Sequence, residues 1–63
     1  MTDKQLVLSI YPEAKCIPWA ENHSHRIIQA KIGWLAVDES EKLAWSQAAN
    51  GIREWMLEKL VEQ

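Results

Sequence analysis

The first eleven residues carry the apolar pattern of a short helix. Thr2 and Gln5 fit a capping box, in which each side chain bonds the backbone N–H of the other residue, so a helix is expected to begin just after Thr2. Four apolar side chains share one face of this helix: Leu6, Val7, Ile10 and Tyr11. The alternation from Leu6 to Ile10 would equally suit a strand. Pro12 ends the element in both cases, because proline lacks a backbone N–H and disfavours helical geometry at the residue before it.

The chain from residue 14 to residue 37 predicts a small antiparallel sheet. The stretch AKCIPW bunches its apolar side chains and contains Pro18, which confines a strand to a sheet edge or to its own end. The polar cluster ENHS at 21–24 is typical of a turn. HRIIQAKIGWLAV at 25–37 is apolar and β-branched, and its glycine predicts one or two strands with a turn near 31–33. We expect four side chains to line the sheet: Cys16, Ile17, Ile27 and Ile28.

The clearest element is a long amphipathic helix in the last third of the chain. Asp38 and Glu41 fit a capping box of the D-x-x-E kind, and acidic residues complement the positive end of the helix dipole. Seven apolar residues then follow the 3.6-residue period: Trp45, Ala48, Ala49, Ile52, Trp55, Met56 and Leu60. Each of the four tryptophans can bury roughly 150–250 Å², which is how we expect so short a chain to build its core.

The length of this helix predicts an exposed apolar end. Helix over residues 39–62 would span about 36 Å at 1.5 Å per residue, whereas a compact domain of this size is less than about 30 Å across. The helix therefore overhangs its own core or breaks at Asn50 and Gly51, where glycine is a poor helix residue. An overhanging end would present a partner-binding surface, with four side chains: Trp55, Met56, Leu60 and Val61. A homodimer is the simplest such assembly, and the alternative is that the whole stripe packs onto the sheet.

These elements predict a single α+β domain over residues 1–63. Its parts are an N-terminal helix, a small antiparallel sheet of two or three strands, and a long C-terminal helix. Cys16 is the only cysteine, which excludes a disulfide within the chain. No apolar run approaches the roughly 20 residues of a membrane span, and the N-terminus lacks the basic and apolar regions of a secretory signal. We therefore expect a cytoplasmic protein.

The formal charge of −2 is unevenly distributed along the chain. It amounts to 0 over residues 1–12, +1 over 13–37 and −3 over 38–63. Nucleic-acid-binding domains usually carry a basic face, and only the middle segment could supply one. Its candidate contacts, with Trp19 or Trp34 as a stacking platform, are Lys15, Trp19, His23, His25, Arg26 and Lys31. The preferred interpretation is that these charges form a solvated sheet face and that the tryptophans fill the core.

Cys16, His23 and His25 are the residues that a metal site or a catalytic Cys–His pair would use. Their spacing, C-x6-H-x-H, matches none of the common zinc patterns, and Glu21 or Asp38 would have to supply a fourth ligand. A thiolate can be activated by a neighbouring imidazole, but no orienting group or glycine-rich oxyanion loop is evident. Two glycines leave no phosphate-binding loop. We predict no catalytic residue, no metal and no other cofactor.

Two stretches, IYPEAKC at 10–16 and AWSQAAN at 44–50, resemble a loose set of small uncharacterised phage and prophage-encoded proteins. Those proteins share the pattern I-Y-P-[DE]-A-[KR]-C, a short tryptophan-bearing hairpin, and A-W-x-x-A-A on a final helix. The matching positions are Tyr11, Pro12, Ala14, Cys16, Trp45, Ala48 and Ala49. The resemblance implies an α–β–β–α plan and a bacterial or phage host, and it implies no activity. Features particular to this chain are expected in AENHSH and REWMLEKLVEQ, which fall outside the pattern.

The sequence thus favours a non-catalytic interaction protein of phage or mobile-element type that acts through its C-terminal helix. A nucleic-acid-binding accessory protein that uses residues 15–31 is the alternative. Salt separates the two, because phosphate binding weakens steeply between about 50 and 200 mM salt whereas apolar helix association does not.

Overall fold

The structure of the protein is a computed structural model, which describes the backbone of residues 1–61 and the side chains of residues 1–57. Its elements, in chain order, are α1 (Asp3–Ile10), β1 (Lys15–Pro18), β2 (Arg26–Ala30), β3 (Gly33–Asp38) and α2 (Glu41–Val61). The predicted α+β class is confirmed, and the sheet has three strands. No helix in the described part of the chain is long and apolar enough to cross a membrane.

The first element is a helix and not a strand, because both bonds of its capping box form. Thr2 N donates to Gln5 Oε1 at 2.9 Å, and Gln5 N donates to Thr2 Oγ1 at 3.1 Å. The helix ends where Tyr11 N donates to Val7 O at 2.8 Å, one residue before Pro12. Val7 is fully buried against the rest of the core. A good N-terminal cap and a well-placed proline therefore define an element of only eight residues.

The sheet is an antiparallel meander in the order β1-β2-β3. The turn between β2 and β3 consists of Lys31 and Ile32, and it is followed by Gly33 with a φ of 136°. Further along this hairpin the register shifts, since Gln29 pairs with Trp34 but Ile28 pairs with Ala36. Leu35 is therefore the extra residue of a β-bulge.

The two helices cover one face of the sheet. This face carries Ile28, Ala30 and Ala36, which are all buried, and Cys16 pairs with Ile28 on the same side. The prediction that Ile17 and Ile27 line the sheet beside Cys16 and Ile28 is therefore only partly right. Ile17 and Ile27 pair with each other on the opposite face and are half-buried, because side chains of a strand alternate between its faces.

Helix α2 begins at Glu41, and its cap is Ser40. Ser40 Oγ accepts from Leu43 N at 3.3 Å, and Ser40 O accepts from Ala44 N at 2.9 Å. The predicted cap at Asp38 is wrong, because Asp38 still belongs to β3, and its carboxylate instead accepts from the backbone N–H of Glu39 at 2.8 Å. The helix is α-helical from Glu41 to Val61, including Asn50 and Gly51, so of the two alternatives from the sequence the break is the wrong one. It contributes to the long dimension of the molecule, 41 Å against 20 and 18 Å.

Small side chains, and not tryptophans, dominate the core. Ten described apolar residues are buried, and six of them are alanines: Ala14, Ala30, Ala36, Ala44, Ala48 and Ala49. Trp45 is buried, but Trp34 and Trp55 are exposed and Trp19 is half-buried. The prediction that the tryptophans fill the core therefore holds for Trp45 alone. Alanine lets α2 lie close to the sheet, which leaves little volume for larger rings.

Candidate interaction surfaces

An apolar groove lies between the end of α1, the bulge in β3 and the second half of α2. Its volume is about 240 Å³, and its lining residues are Ile10, Tyr11, Leu35, Ala48, Gly51, Ile52 and Trp55. We call it the α2 groove. Gly51 forms part of its wall without a side chain, and a Cβ added there would meet no other atom within 4 Å. The groove is therefore open space against which another helix or side chain can pack.

Helix α2 continues past Ile52, which is the last buried residue among those whose side chains are described. Trp55 is 52% exposed, Met56 is 38% exposed and Leu57 is 61% exposed. Trp55 and Met56 belong to the partner-binding set that the sequence predicts. The side chains of the other two members of that set, Leu60 and Val61, lie outside the described residues.

Leu57 is an exposed residue that the periodicity argument missed. It lies 14 residues after Leu43, which is also half-exposed, and this spacing is close to four helical turns. The two leucines therefore lie on one side of α2, away from the buried stripe. The signal in the sequence is that both leucines occupy helix positions outside the apolar stripe.

An ion pair fixes α1 against the second half of α2. Arg53 donates through Nη2 to Asp3 Oδ1 at 2.9 Å and through Nη1 to Asn50 Oδ1 at 3.0 Å. Both members of the pair are more than a third exposed, so water screens it and its contribution to stability is at most about 1 kcal/mol. The pair therefore contributes more to the orientation of α1 relative to α2 than to the free energy of unfolding.

The second surface is the sheet face that the helices leave uncovered. Residues paired across antiparallel strands point to the same side, so Gln29 lies with Lys15 and Trp34, and Ile27 lies with Ile17 and Val37. We call these six side chains the open sheet face. Trp34 is 66% exposed on it.

The bulge is what places Trp34 on this face. In a regular strand Trp34 and Ala36 would share a face, because side chains alternate with a period of two. The extra residue Leu35 breaks that alternation, and Leu35 packs against the helical side of the sheet, where Ala36 is also buried. The indole of Trp34 is thereby turned away from the core.

The six residues of the predicted nucleic-acid contact lie at two ends of β2. Lys15 and Lys31 are near its C-terminal end, since Lys15 pairs with Gln29 and Lys31 follows Ala30. Arg26 begins β2, and His25 and His23 precede it. A five-residue strand is about 16 Å long at 3.3 Å per residue. The basic residues therefore form two separate groups.

The AENHSH loop is an ordered turn built around Asn22. Asn22 Oδ1 accepts from Ser24 N at 3.2 Å and from Ser24 Oγ at 2.7 Å, and Asn22 O accepts from His25 N at 2.9 Å. The His25 ring lies edge-on to Trp19 with centroids 6.2 Å apart, and His23 is exposed. This loop therefore closes the β1–β2 connection by its own hydrogen bonds.

Cys16 lies on the helical face of the sheet, in surroundings that keep its thiol protonated. Burial raises the pKa of Cys16, the Glu41 carboxylate adds to the rise, and Arg26 and Lys4 partly oppose it. A catalytic or metal-binding cysteine needs the opposite shift, toward the thiolate. Within the described residues, no three His, Cys, Asp or Glu side chains gather where they could hold a metal ion.

Glu13 links the α1–β1 loop to the β2–β3 turn. Its carboxylate accepts from the backbone N–H of Lys31 at 3.1 Å. Hydrogen bonds from its own backbone N–H, then from that of Lys31, lower the pKa of the Glu13 carboxyl. The Glu13 carboxylate, at the end of the open sheet face, thus already accepts a backbone hydrogen bond.

The structure leaves two surfaces for which a function can be argued: the α2 groove with the exposed end of α2, and the open sheet face. Both carry a tryptophan with at least half of its surface exposed.

The resemblance to small phage proteins stays a prediction. Comparisons with protein-family models, with curated proteins and with solved structures found nothing that matches this chain.

Proposed function

We propose that the protein is a non-catalytic interaction protein of phage or mobile-element type, which acts in the cytoplasm and binds a second copy of itself through α2. One observation carries the proposal. Helix α2 runs on past Ile52, the last buried residue among the described side chains, and exposes Trp55, which lines an apolar groove, and the neighbouring Met56.

The chemistry of this surface is that of a protein interface. Tryptophan is among the residues that dominate binding energy at interfaces, and methionine is enriched there. Gly51 leaves the wall of the groove without a side chain, so a helix from a partner can approach the backbone of α2 closely. Groove and anchors lie side by side on one helix, which is the arrangement that helix-in-groove recognition uses.

A second copy is the partner that this arrangement fits, because one surface carries both the groove and the side chains to fill it. In a two-fold dimer the same patch meets itself, and each contact occurs twice. Association costs at least about 4 kcal/mol in lost motion, while one fully buried leucine or methionine contributes about 1.5–3 kcal/mol. Trp55 and Met56 are about half-exposed in the monomer, so each can add about half of that amount, and the two copies together supply about 3–6 kcal/mol, which is comparable to the lower estimate of that cost.

Light scattering over a range of concentrations tests the proposal. We expect the wild type to form a dimer, and Trp55→Glu and Met56→Glu to be monomers that retain the wild-type circular dichroism spectrum. Met56→Glu is the second variant, so that the result does not depend on Trp55 alone, which is half-buried and whose replacement also weakens the fold. Leu43→Glu and Leu57→Glu are the matched controls, since both leucines are exposed on the side of α2 that faces away from the groove.

A wild type that stays monomeric at every concentration would contradict the proposed self-association. A dimer that Leu43→Glu or Leu57→Glu disrupts as strongly as Trp55→Glu would place the interface elsewhere on α2. Only loss of the dimer in the two substitutions near the groove, with Leu43→Glu and Leu57→Glu still dimeric, supports the proposal.

A further inference from the structure

We infer that the open sheet face binds single-stranded nucleic acid, with one base stacked on Trp34 and neighbouring phosphates held by Lys15 and Lys31. This site goes beyond the proposed self-association and does not rest on it, because the two surfaces lie on opposite faces of the sheet.

Trp34 lies where a base can stack on it. This residue is 66% exposed. Without the β-bulge, the alternation of side chains along β3 would turn it toward the core. Exposing an indole forfeits the large gain that its burial would bring. An aromatic ring on the uncovered face of an antiparallel sheet is the feature on which RNA- and single-strand-binding folds stack bases.

Polar side chains lie beside this ring. Lys15, Gln29 and Trp34 form one row across the three strands. Lys15 is therefore about 10 Å from Trp34, two strand spacings of about 4.8 Å. A nucleic-acid strand rises about 3.4 Å per nucleotide when stacked, so this distance corresponds to a phosphate about three nucleotides from the stacked base.

Lys31 lies at the turn, three residues before Trp34. A shallow depression of about 420 Å³ runs between the two lysines, lined by Glu13, Lys15, Gln29, Ala30 and Lys31. Among the described residues no carboxylate lies within 4 Å of either lysine ammonium, since the one ion pair there joins Arg53 to Asp3. Both ammonium groups are available to phosphates, and the amide of Gln29 adds donors between them.

The charge of the molecule is arranged to favour a polyanion on this face. Residues 13–37, which contain all three strands except the end of β3, carry +1, and residues 38–63 carry −3. Two of those acidic residues, Glu41 and Glu54, belong to α2 on the other side of the sheet. Glu13 is the acidic residue at the depression, and its carboxylate is charged and attracted by Lys31, so Lys15, Lys31 and Glu13 together leave a net charge of +1 there.

The geometry selects a single strand over a duplex. Stacking on Trp34 requires a base whose face is free, and the bases of a duplex are stacked on each other. The surface is also short, about 16 Å along β2 at 3.3 Å per residue. A protein partner is the less favoured occupant, because the exposed ring is bordered in its own row by Lys15 and Gln29 and not by apolar residues.

Fluorescence anisotropy with labelled twelve-nucleotide oligo-dU and oligo-U, which differ only in the 2′-hydroxyl, tests the site on the full-length chain. Two phosphate contacts predict a slope of about −1.4 in a plot of log affinity against log salt, at about −0.7 per contact. Trp34→Ala should weaken binding about 5- to 140-fold, the range for loss of one stacked base. Lys15→Gln and Lys31→Gln should each make the slope shallower by about 0.7. A preference for one oligonucleotide assigns the site to DNA or to RNA, and equal affinity means that the 2′-hydroxyl is not read.

Matched controls come from the opposite side of the molecule. Trp55→Ala removes an exposed tryptophan from the α2 groove, and Lys42→Gln removes an exposed lysine from α2. Neither should change oligonucleotide affinity or its salt slope. Trp34→Phe keeps a ring for stacking, so it should bind more tightly than Trp34→Ala, and this comparison holds even where Trp34→Ala lowers the melting temperature.

Four results would overturn the inference. They are no binding to either oligonucleotide at 50 mM salt, equal competition by a duplex of the same length, equal loss in Trp34→Ala and Trp55→Ala, and equal affinity of Trp34→Phe and Trp34→Ala. If Trp34→Ala lowered the molecular mass measured by light scattering and left oligonucleotide affinity unchanged, the open sheet face would instead be a contact with another protein chain.

Discussion

The β2–β3 turn depends on the backbone of a single residue. Gly33 is the one described residue with a positive φ, at 136°, where a side chain on an L-residue is strained. Gly33→Ala should therefore lower the free energy of unfolding by about 1–3 kcal/mol, although a Cβ there would meet no other atom within 4 Å. Urea denaturation followed by circular dichroism measures the change.

Gly51→Ala is the control for that experiment, because its surroundings are equally open but its φ is that of a helix. Alanine is a better helix residue than glycine by about 1 kcal/mol, so this substitution should raise the free energy of unfolding. If both substitutions shifted stability in the same direction, backbone strain at Gly33 would not be the cause.

The thiol of Cys16 should react slowly with alkylating reagents near neutral pH. Burial raises its pKa, and the nearby Glu41 carboxylate raises it further, so a smaller fraction is thiolate than in an unfolded chain. The raised pKa also means that Cys16 favours the folded state below the pKa of the unfolded chain, and that this contribution is lost as pH rises through the folded pKa.

The rate of iodoacetamide labelling as a function of pH tests this expectation, with the protein in urea as the reference. The midpoint of the folded protein should lie at higher pH than that of the unfolded one. A folded protein that reacts faster than the unfolded chain at pH 7 would show an activated thiol and would reopen a catalytic role for Cys16.

At the scale of elements, α2 closes the outer edge of the sheet as well as covering its face. Gln47 Oε1 accepts from the backbone N–H of Val37 in β3 at 3.1 Å. Edge strands with unpaired N–H groups invite pairing with other chains. Gln47→Met keeps the size of the side chain and removes the acceptor, which should cost about 0.5–1.5 kcal/mol of stability and increase aggregation on heating.

Gln47→Glu is the matched variant for this bond, since a carboxylate oxygen can accept from Val37 as the amide oxygen does. Thermal melting and light scattering should show Gln47→Glu close to the wild type and Gln47→Met less stable. Equal melting temperatures for all three proteins would mean that water replaces the bond without loss.

The elements themselves follow from local signals, but their exact packing does not. Thr2, Gln5 and Pro12 define α1 by chemistry that acts within a few residues, and the 3.6-residue stripe identifies α2. The bulge at Leu35 has no local signature in the sequence. Its position follows from how β3 pairs with β2, and with it the exposure of Trp34. The predicted helix cap at Asp38 is wrong for the same reason, since strand pairing extends β3 through Asp38, which could otherwise cap a helix.

For the whole molecule, the alanine-rich core explains why the large apolar residues lie at the surface. Helix α2 packs close to the sheet through Ala44, Ala48 and Ala49, so Trp55 has no interior volume to occupy, and Trp34 lies on the face that α2 does not cover. The sequence predicts an exposed apolar end of α2 from helix length alone. The nucleic-acid alternative from the sequence includes Lys15, Lys31 and Trp34, but it does not separate them from its other candidates, because that requires knowing which side of the sheet the helices cover.

The two surfaces should act independently, because the sheet separates them. Raising salt fourfold, from 50 to 200 mM, should weaken oligonucleotide binding about sevenfold for a slope of −1.4, whereas the apolar contact through the α2 groove should be unchanged or slightly stronger.

Trp55→Glu should abolish the dimer and leave oligonucleotide affinity intact. Trp34→Ala should weaken oligonucleotide binding and leave the dimer intact. Light scattering and anisotropy on the same six samples, the wild type and the two variants at two salt concentrations, measure both effects. Loss of oligonucleotide binding in Trp55→Glu would show that the open sheet face works only in the dimer, and the two surfaces would then have to be treated as one site.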